Sequence, residues 1–153
     1  MTRRRYDLPK FLDGTCSRAD YIRWLDRKAR AHVKRDRGRG NTQALQAEYK
    51  EAIHRAVLDG GEKDAYTGEV LDWSLISTYD NRESKRGGRA YKRNFALLPT
   101  VDHVGDGLGA PDFRICSWRT NDAKSDLEFQ EFLALCNRVV EYNQPKSGPR
   151  VTG

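Results

Sequence analysis

The side chains best suited to catalysis lie around one predicted β-hairpin in the second half of the chain. Asp102 and His103 are neighbours at the end of one apolar run, and Asn121 follows the next apolar run. The imidazole of a histidine titrates close to neutral pH and can therefore accept a proton from water. A carboxylate and an amide oxygen are hard donors that bind Mg²⁺ while leaving positions open for water and phosphate. Metal-assisted cleavage of a phosphodiester requires these groups.

The predicted hairpin also indicates how these groups are arranged. Successive side chains of a strand point to opposite faces, so Asp102 and His103 approach a common site from different directions. A helical turn after the second strand would bring Asn121 over the hairpin. An Asp-His pair alone is weak evidence for a catalytic site, and Asn121 alone is a good helix cap. The hypothesis of a catalytic site therefore depends on all three residues occurring together. His32 and His54 lie in predicted helices without companions at ligand spacing, and we interpret them as structural or exposed.

Three short segments carry a resemblance to a known nuclease family. They are TVDHV, FRIC and NDAKSD, within residues 96–126. Their order resembles the HNH nuclease family, in which Asp-His ends one strand, an apolar strand follows, and Asn with a Lys three residues later opens a helix. The resemblance implies the ββα-metal fold and a metal-dependent endonuclease that hydrolyses phosphodiester bonds of DNA.

The resemblance also implies a role for each matching residue. His103 would be the general base, and Asp102 and Asn121 would be the ligands of one Mg²⁺ or Mn²⁺ ion. Lys124 matches the basic residue of the family's helix and is the second candidate catalytic residue. Asp112 falls near the position of the family's middle Asn, which braces the loop.

The cysteines separate this chain from the zinc-containing members of that family. Cys16, Cys116 and Cys136 are widely spaced and form no CxxC pair, and Tyr66 and Thr67 stand where the first zinc-binding pair would be. We therefore expect no structural zinc, and we expect hydrophobic packing to stabilise the hairpin instead. The cysteines are expected to be unpaired, no apolar run reaches the ~18 residues that a membrane span needs, and the sequence shows no signal-peptide pattern. These features predict a cytoplasmic protein without a membrane partner.

Positive charge is concentrated in the first part of the chain. Residues 1–58 contain 15 Lys or Arg against 7 Asp or Glu, whereas residues 59–153 contain 13 against 15. A basic part beside a near-neutral part suggests a phosphate-binding surface, with a solvated helical face as the alternative. The predicted DNA-contacting residues share one face of the first helix: Arg23, Arg27, Arg30 and Lys34.

Hydrophobic spacing and turn residues predict an α+β protein in two parts. Residues 1–60 form a basic helical hairpin, with helices over 17–35 and 42–58. The family resemblance implies that residues 61–153 form the ββα-metal core. Its predicted parts are a hairpin or strand within 65–77, a polar loop over 79–94, strands over 95–104 and 112–118, and a C-terminal helix over 125–142 opened by Ser125. The helical hairpin is expected to pack on this core.

Two other functions remain open at this point. A catalytically inactive or regulatory nucleic-acid-binding protein on the same fold would use the basic region, although a binder has no need of a general base and two ligands. An RNA nuclease is the other alternative. A single site that cuts both strands of DNA would predict a homodimer.

Overall fold

The computed structural model describes residues 5–145, which form five α-helices and one two-stranded antiparallel sheet. The helices are α1 Arg18–Gly38, α2 Gln46–Gly60, α3 Asn81–Asn94, α4 Trp118–Lys124 and α5 Phe129–Asn143, and the strands are β1 Pro99–His103 and β2 Phe113–Ser117. Short 3-10 helices span Lys10–Leu12 and Trp73–Ser77. The predicted α+β class is confirmed. No helix in this part of the chain is long and apolar enough to cross a membrane.

The chain divides into two compact units, at a different place from the predicted boundary after residue 60. The first unit ends at Ala123 and the second begins at Lys124. Within the first unit, α1 contacts both α2 and β1, and α2 contacts β2. The basic helical region and the β-hairpin therefore belong to one unit. Residues 1–4 and 146–153, at the ends of the two predicted domains, lie outside the described residues.

Helix α1 begins where the sequence predicts but ends at Gly38 instead of residue 35. The Ser17 side chain accepts a hydrogen bond from the backbone N–H of Asp20 at 3.0 Å, as expected for an N-cap. Its buried apolar residues follow the predicted stripe: Tyr21, Trp24, Leu25, Ala29 and Val33. The last turn continues to Gly38, and the Arg37 guanidinium in it donates to the carbonyl of Ala44 at 2.8 Å.

Helix α2 begins at Gln46 instead of residue 42, because the residues before it form a turn. The backbone N–H of Gln43 donates to the Asn41 side chain at 3.0 Å, and Leu45 is an extended N-cap residue. Tyr49, Ile53 and Val57 are buried at the predicted four-residue spacing.

The segment predicted as a hairpin or strand within 65–77 is wrong in its second half. Only an isolated bridge, Lys63 to Val70, pairs in an extended form there. Trp73 and Ile76 are buried on a 3-10 helix, in which residues three apart share a side. Asp72 caps this helix by accepting from the backbone N–H of Ser74 at 3.1 Å.

The predicted polar loop over 79–94 is also wrong, since these residues form helix α3. The Asp80 side chain caps it by accepting from the backbone N–H of Arg82 at 2.7 Å. Gly88 takes a non-helical conformation with φ of 55°, so α3 is kinked there and continues beyond the Gly-Gly pair. The kinked helix presents a row of basic side chains that the loop prediction did not contain.

The two strands form the expected hairpin, with Pro99 at the start of β1. Proline is tolerated there because a strand's first residue needs no ladder donor. The other edge of β1 is covered by α1: the Trp24 indole approaches the Pro99 carbonyl at 3.3 Å, and His32 Nε2 lies 3.2 Å from the Val101 carbonyl. Side chains of α1 therefore satisfy acceptors that an exposed strand edge would leave to other chains.

A hydrogen-bonded cluster, and not apolar packing alone, joins the two turns that flank the hairpin. The Asp64 carboxylate is 1% exposed and accepts from the backbone N–H groups of Tyr66 at 2.8 Å and Ser117 at 3.0 Å. Ser117 Oγ in turn bonds Thr120 Oγ1 at 2.9 Å. The expected hydrophobic packing is present, since Val101, Phe113 and Ile115 belong to the buried core, and a buried carboxylate with several donors adds to it.

The helix predicted over 125–142 begins only at Phe129, as α5, and the separate helix α4 precedes it. Ser125 lies between α4 and α5 with φ of 51°, so it is not an N-cap. Glu128 precedes α5 without a capping side-chain bond, and no residue of α5 is buried. The C-terminal helix is thus confirmed as a helix, but its first predicted turn belongs to the connection.

Candidate active site

Asp102 and His103 are the last two residues of β1, and their side chains contact different parts of the fold. Alternation along a strand requires this separation. Oδ2 of Asp102 accepts a hydrogen bond from the hydroxyl of Tyr66 at 2.5 Å. His103 instead lies beside α1 and against the ring of Phe113, with centroids 5.1 Å apart.

The Tyr66 hydroxyl is a permanent donor to Asp102. Burial first, and then the hydrogen bond to Asp102, raise the pKa of Tyr66 far above its ordinary value. Its proton is therefore retained at any physiological pH. A carboxylate held in this way keeps one orientation, as carboxylates that bind metal ions usually do.

His103 is paired with a carboxylate that the sequence analysis did not single out. Its Nε2 lies 2.9 Å from Oδ2 of Asp36, which is fully buried in the last turns of α1. The contact is close, although neither ring nitrogen makes an aligned hydrogen bond with the described residues. A carboxylate at this distance is close enough to compensate the positive charge that an imidazole acquires when it accepts a proton.

Asp36 also connects α2 and the loop that follows β1. The Tyr49 hydroxyl donates to its Oδ2 at 2.6 Å, and burial together with this bond raises the pKa of Tyr49 to about 12. Gly107, at φ of +82°, passes so close that a Cβ there would lie 2.6 Å from Oδ1 of Asp36. Asn41 bonds the Gly107 carbonyl at 2.8 Å. The loop is thereby fixed over the Asp36–His103 pair.

Asn121 lines a cavity of about 400 Å³ that also borders α1 and β1. Lys28 and Thr100 line the same cavity, and Lys28 Nζ donates to Thr100 Oγ1 at 2.9 Å. Thr100 and Asp102 are alternate residues of β1 and share one face of the strand. The structure therefore places Asn121 near the face that carries Asp102, and it places His103 on the opposite face.

The remaining predicted site residues have simple positions. Asp112 is exposed, and its carbonyl closes the hairpin by accepting from the backbone N–H of Val104 at 2.9 Å. The side chain that reaches His103 is therefore Asp36, whereas Asp112 contributes its backbone. Lys124 is the last residue of α4 and is buried. The four basic residues predicted on α1 are all exposed: Arg23, Arg27, Arg30 and Lys34.

The donors of the predicted metal site are few but chemically suitable. Within residues 5–145, no group of three or more His, Cys, Asp or Glu side chains is arranged around a common ion position. Mg²⁺ is often bound by only one or two protein oxygens, with waters and substrate phosphates completing its shell. Asp102, oriented by Tyr66, and the amide oxygen of Asn121 fit that chemistry.

Lys28 and Asp36 were missed by sequence reasoning, although α1 carries a signal for them. Lys28, His32 and Asp36 recur every four residues, so they lie on one side of the helix. Charged and titratable side chains at the border of a helix's apolar stripe are unusual, and they indicate that polar partners lie across the interface. No comparable signal identified Tyr66 as a partner of Asp102.

No protein-family model, curated protein or solved structure matches this chain.

Proposed function

We propose that the chain is a metal-dependent endonuclease that hydrolyses phosphodiester bonds of DNA. The hairpin β1–β2 runs directly into α4, with Asp102 and His103 at the end of β1 and Asn121 within α4. This order of strands, helix and residues is the one that the HNH resemblance implies. It supports a ββα-metal core as the finer description of this α+β fold.

The observation that carries the proposal is the pairing of His103 with Asp36. A general base works best when a third group orients it and balances the charge of its protonated form. His103 would take a proton from the attacking water, and Asp36 would stabilise the resulting imidazolium. A histidine with only a packing role would not need a buried carboxylate 2.9 Å from its Nε2.

Asp102 and Asn121 are the residues proposed to bind Mg²⁺ or Mn²⁺. The bound cation would withdraw charge from the scissile phosphate and from the departing oxygen. Tyr66 would maintain the orientation of Asp102 throughout, because its hydroxyl keeps its proton. Lys124 stays a proposed basic residue of the site on the strength of the motif.

Access to His103 requires a movement of the loop after β1. The His103 side chain is only 3% exposed. Gly107 and the bond from Asn41 hold the loop against Asp36. We propose that substrate binding displaces residues 104–112 and exposes the imidazole, a change of the size common in enzyme loops.

The direct test is incubation of the protein with supercoiled plasmid in Mg²⁺, in Mn²⁺ and in EDTA. We expect nicked or linear DNA with either metal and intact plasmid with EDTA. His103→Ala should lower the rate by about 10²–10⁴-fold, as loss of a general base does. Because His103 is buried, His103→Gln should be measured in parallel, since it retains a donor for Asp36. A thermal melt of both variants, with the exposed substitution Asp59→Asn near the end of α2 as control, separates lost catalysis from lost folding.

The burial of His103 favours one competing function, a nucleic-acid-binding protein that does not cleave. Tight plasmid binding without nicking in either metal would support it and overturn the nuclease proposal. A matched single-stranded RNA in the same assay distinguishes an RNA nuclease, which would cut that substrate and leave the plasmid intact.

A further inference from the structure

The cavity beside Asn121 contains a positive charge that no described residue balances. Lys28 Nζ donates to the neutral hydroxyl of Thr100. In the described part of the chain, no carboxylate lies within ion-pair distance of this ammonium group. Arg27 lines the same cavity and adds a second positive charge.

This arrangement is unfavourable in the free protein. Burial first, and then the charge of Arg27, lower the pKa of Lys28 to about 8. A desolvated ammonium next to another cation gains most from an anion that enters the cavity. The volume, about 400 Å³, lies in the range of small-ligand sites.

The walls of the cavity favour a particular class of anion. Tyr79 and Trp118 form an edge-to-face pair with centroids 5.3 Å apart, and both line the cavity. Aromatic side chains in the wall suit a sugar or a base attached to the anion. Lysine and arginine together are the usual partners of phosphate oxygens.

We infer that this cavity binds a phosphate group of a nucleic-acid strand, with Lys28 and Arg27 as its counter-charges. The inference deepens the proposed function and rests on it for the identity of the strand. A phosphate bound at Lys28 would lie next to Asn121, which lines the same cavity. The basic face of α1 would continue the path for neighbouring phosphates, since Arg23 and Arg30 are exposed on the same helix.

The test is a binding measurement that does not depend on cleavage. The chain has three tryptophans, and Trp24 and Trp118 line the cavity whereas Trp73 does not. Their indole N–H signals can be followed by NMR while inorganic phosphate, and then a short DNA duplex in EDTA, are added. We expect the largest shifts for Trp24 and Trp118, and a smaller one for Trp73, whose ring packs against Trp24 with centroids 4.9 Å apart.

Lys28→Met should weaken binding of inorganic phosphate by about 10- to 100-fold, the usual effect of losing one charged hydrogen bond. Lys63→Met, which removes the same charge from an exposed site outside the proposed phosphate-binding faces, should change it less than about twofold. The melting temperature of Lys28→Met should be equal to or above that of the wild type, because the variant removes an uncompensated, desolvated charge. A lower melting temperature with unchanged phosphate affinity would overturn the inference and make Lys28 structural.

The outcomes also separate this inference from the proposed function. Loss of phosphate and DNA affinity in Lys28→Met, in a protein that never nicks plasmid, would support the site and refute the nuclease. Plasmid cleavage with unaltered phosphate affinity in Lys28→Met would refute the site and leave the nuclease in place. Weaker binding of inorganic phosphate with unchanged DNA affinity would assign the cavity to a free phosphate compound and overturn its assignment to a strand.

Discussion

At the scale of residues, Asp102 and His103 each depend on one partner from a distant part of the chain. Tyr66 donates a hydrogen bond to Asp102 from the turn that follows α2, and Asp36 places its carboxylate beside His103 from α1. Neighbours in the sequence are therefore positioned independently. A substitution of one partner should affect one function and leave the other nearly unchanged.

Tyr66→Phe tests the first of these pairs. The variant removes the hydroxyl that donates to Asp102 and keeps the ring, so the fold should be retained. We expect Mn²⁺ affinity, measured by calorimetric titration, to fall by about 10- to 100-fold, as for other partners of metal-binding carboxylates. Tyr142→Phe removes a hydroxyl from a residue that is 89% exposed and serves as control. Equal affinity in both variants would mean that Asp102 binds no metal or needs no donor.

At the scale of elements, α1 organises the site by covering the free edge of β1. Trp24, Lys28, His32 and Asp36 recur every four residues and contact successive positions of β1 from Pro99 to His103. A two-stranded hairpin has little stability alone and needs such a covering element. The same polar stripe that protects the sheet therefore also supplies the partner of His103.

His32 makes this covering sensitive to acid. Burial first, then the charges of Arg35 and Lys28, lower the pKa of His32 to about 4 from an ordinary value of 6.5. The unfolded chain therefore binds this proton at a higher pH than the folded one, so the contribution of neutral His32 is complete above pH 6.5. It is lost as the pH falls toward 4, and the loss amounts to about 3 kcal/mol at most.

His32→Gln should remove that part of the acid sensitivity. We expect urea denaturation curves to show a smaller loss of unfolding free energy between pH 6.5 and 4 in the variant than in the wild type. Carboxylates titrate in both proteins, so the difference between the two pH profiles isolates His32. Parallel profiles would show that His32 takes up its proton equally in the folded and unfolded chain.

The Asp64 cluster performs the corresponding role for the turns that flank the hairpin. Burial alone would raise the pKa of Asp64, but hydrogen bonds from Ser117, Tyr66 and Thr120 lower it below its ordinary value. Its contribution to stability is therefore complete above the unfolded pKa of 3.8 and is lost as the pH falls through the lower, folded value.

Asp64→Asn should destabilise the protein by about 1–3 kcal/mol at pH 7, because the amide leaves buried donors without an acceptor. Chemical denaturation at pH 7 measures this loss, and the gap from the wild type should narrow as the pH falls below 3.8. Asp59→Asn, an exposed substitution near the end of α2, is the matched control. An unchanged unfolding free energy for Asp64→Asn would refute the role assigned to the cluster.

At the scale of the whole molecule, two helices offer basic faces to a nucleic acid. The first is the predicted face of α1. The second belongs to α3, which the sequence analysis interpreted as a loop, and its exposed basic residues are Arg82, Lys85, Arg86, Arg89, Lys92 and Arg93. Because phosphate contacts carry no sequence information, either face would bind unrelated DNA sequences alike.

Two quadruple variants with matched charge loss distinguish these faces. Replacing Arg23, Arg27, Arg30 and Lys34 by Gln should weaken DNA binding and make its log–log salt slope shallower, by about 0.9 for each phosphate that the variant no longer neutralises. The comparison set is Arg82, Lys85, Arg86 and Arg89 replaced by Gln. Affinities measured by fluorescence anisotropy at several salt concentrations give both slopes. An unaltered slope in the α1 variant would show that its face is only solvated and would assign the phosphate-binding role to α3.

The sequence by itself determined the elements whose signals are local. The Ser17 cap and the four-residue apolar spacing predicted α1, and two apolar runs predicted the hairpin. Asp102, His103 and Asn121 could be identified as candidates because their motif is a matter of order and spacing. The prediction from local signals was wrong where one residue could adopt two conformations. Gly88 was interpreted as the centre of a loop, but its positive φ permits a kink inside α3.

Only the tertiary structure decided which side chains meet. Tyr66 and Asp102 are 36 residues apart, and Lys28 and Thr100 are 72 apart, so no spacing rule connects them. Such pairs form when α1 packs along β1 and the Asp64 turn packs on the hairpin. Burial then changes the chemistry of these side chains, because their behaviour depends on desolvation and on the charges that lie nearby in the fold. Examples are the lysine that lacks a counter-ion and the carboxylate that lies beside an imidazole. Those properties depend on distance in the folded chain, which the order of residues does not contain.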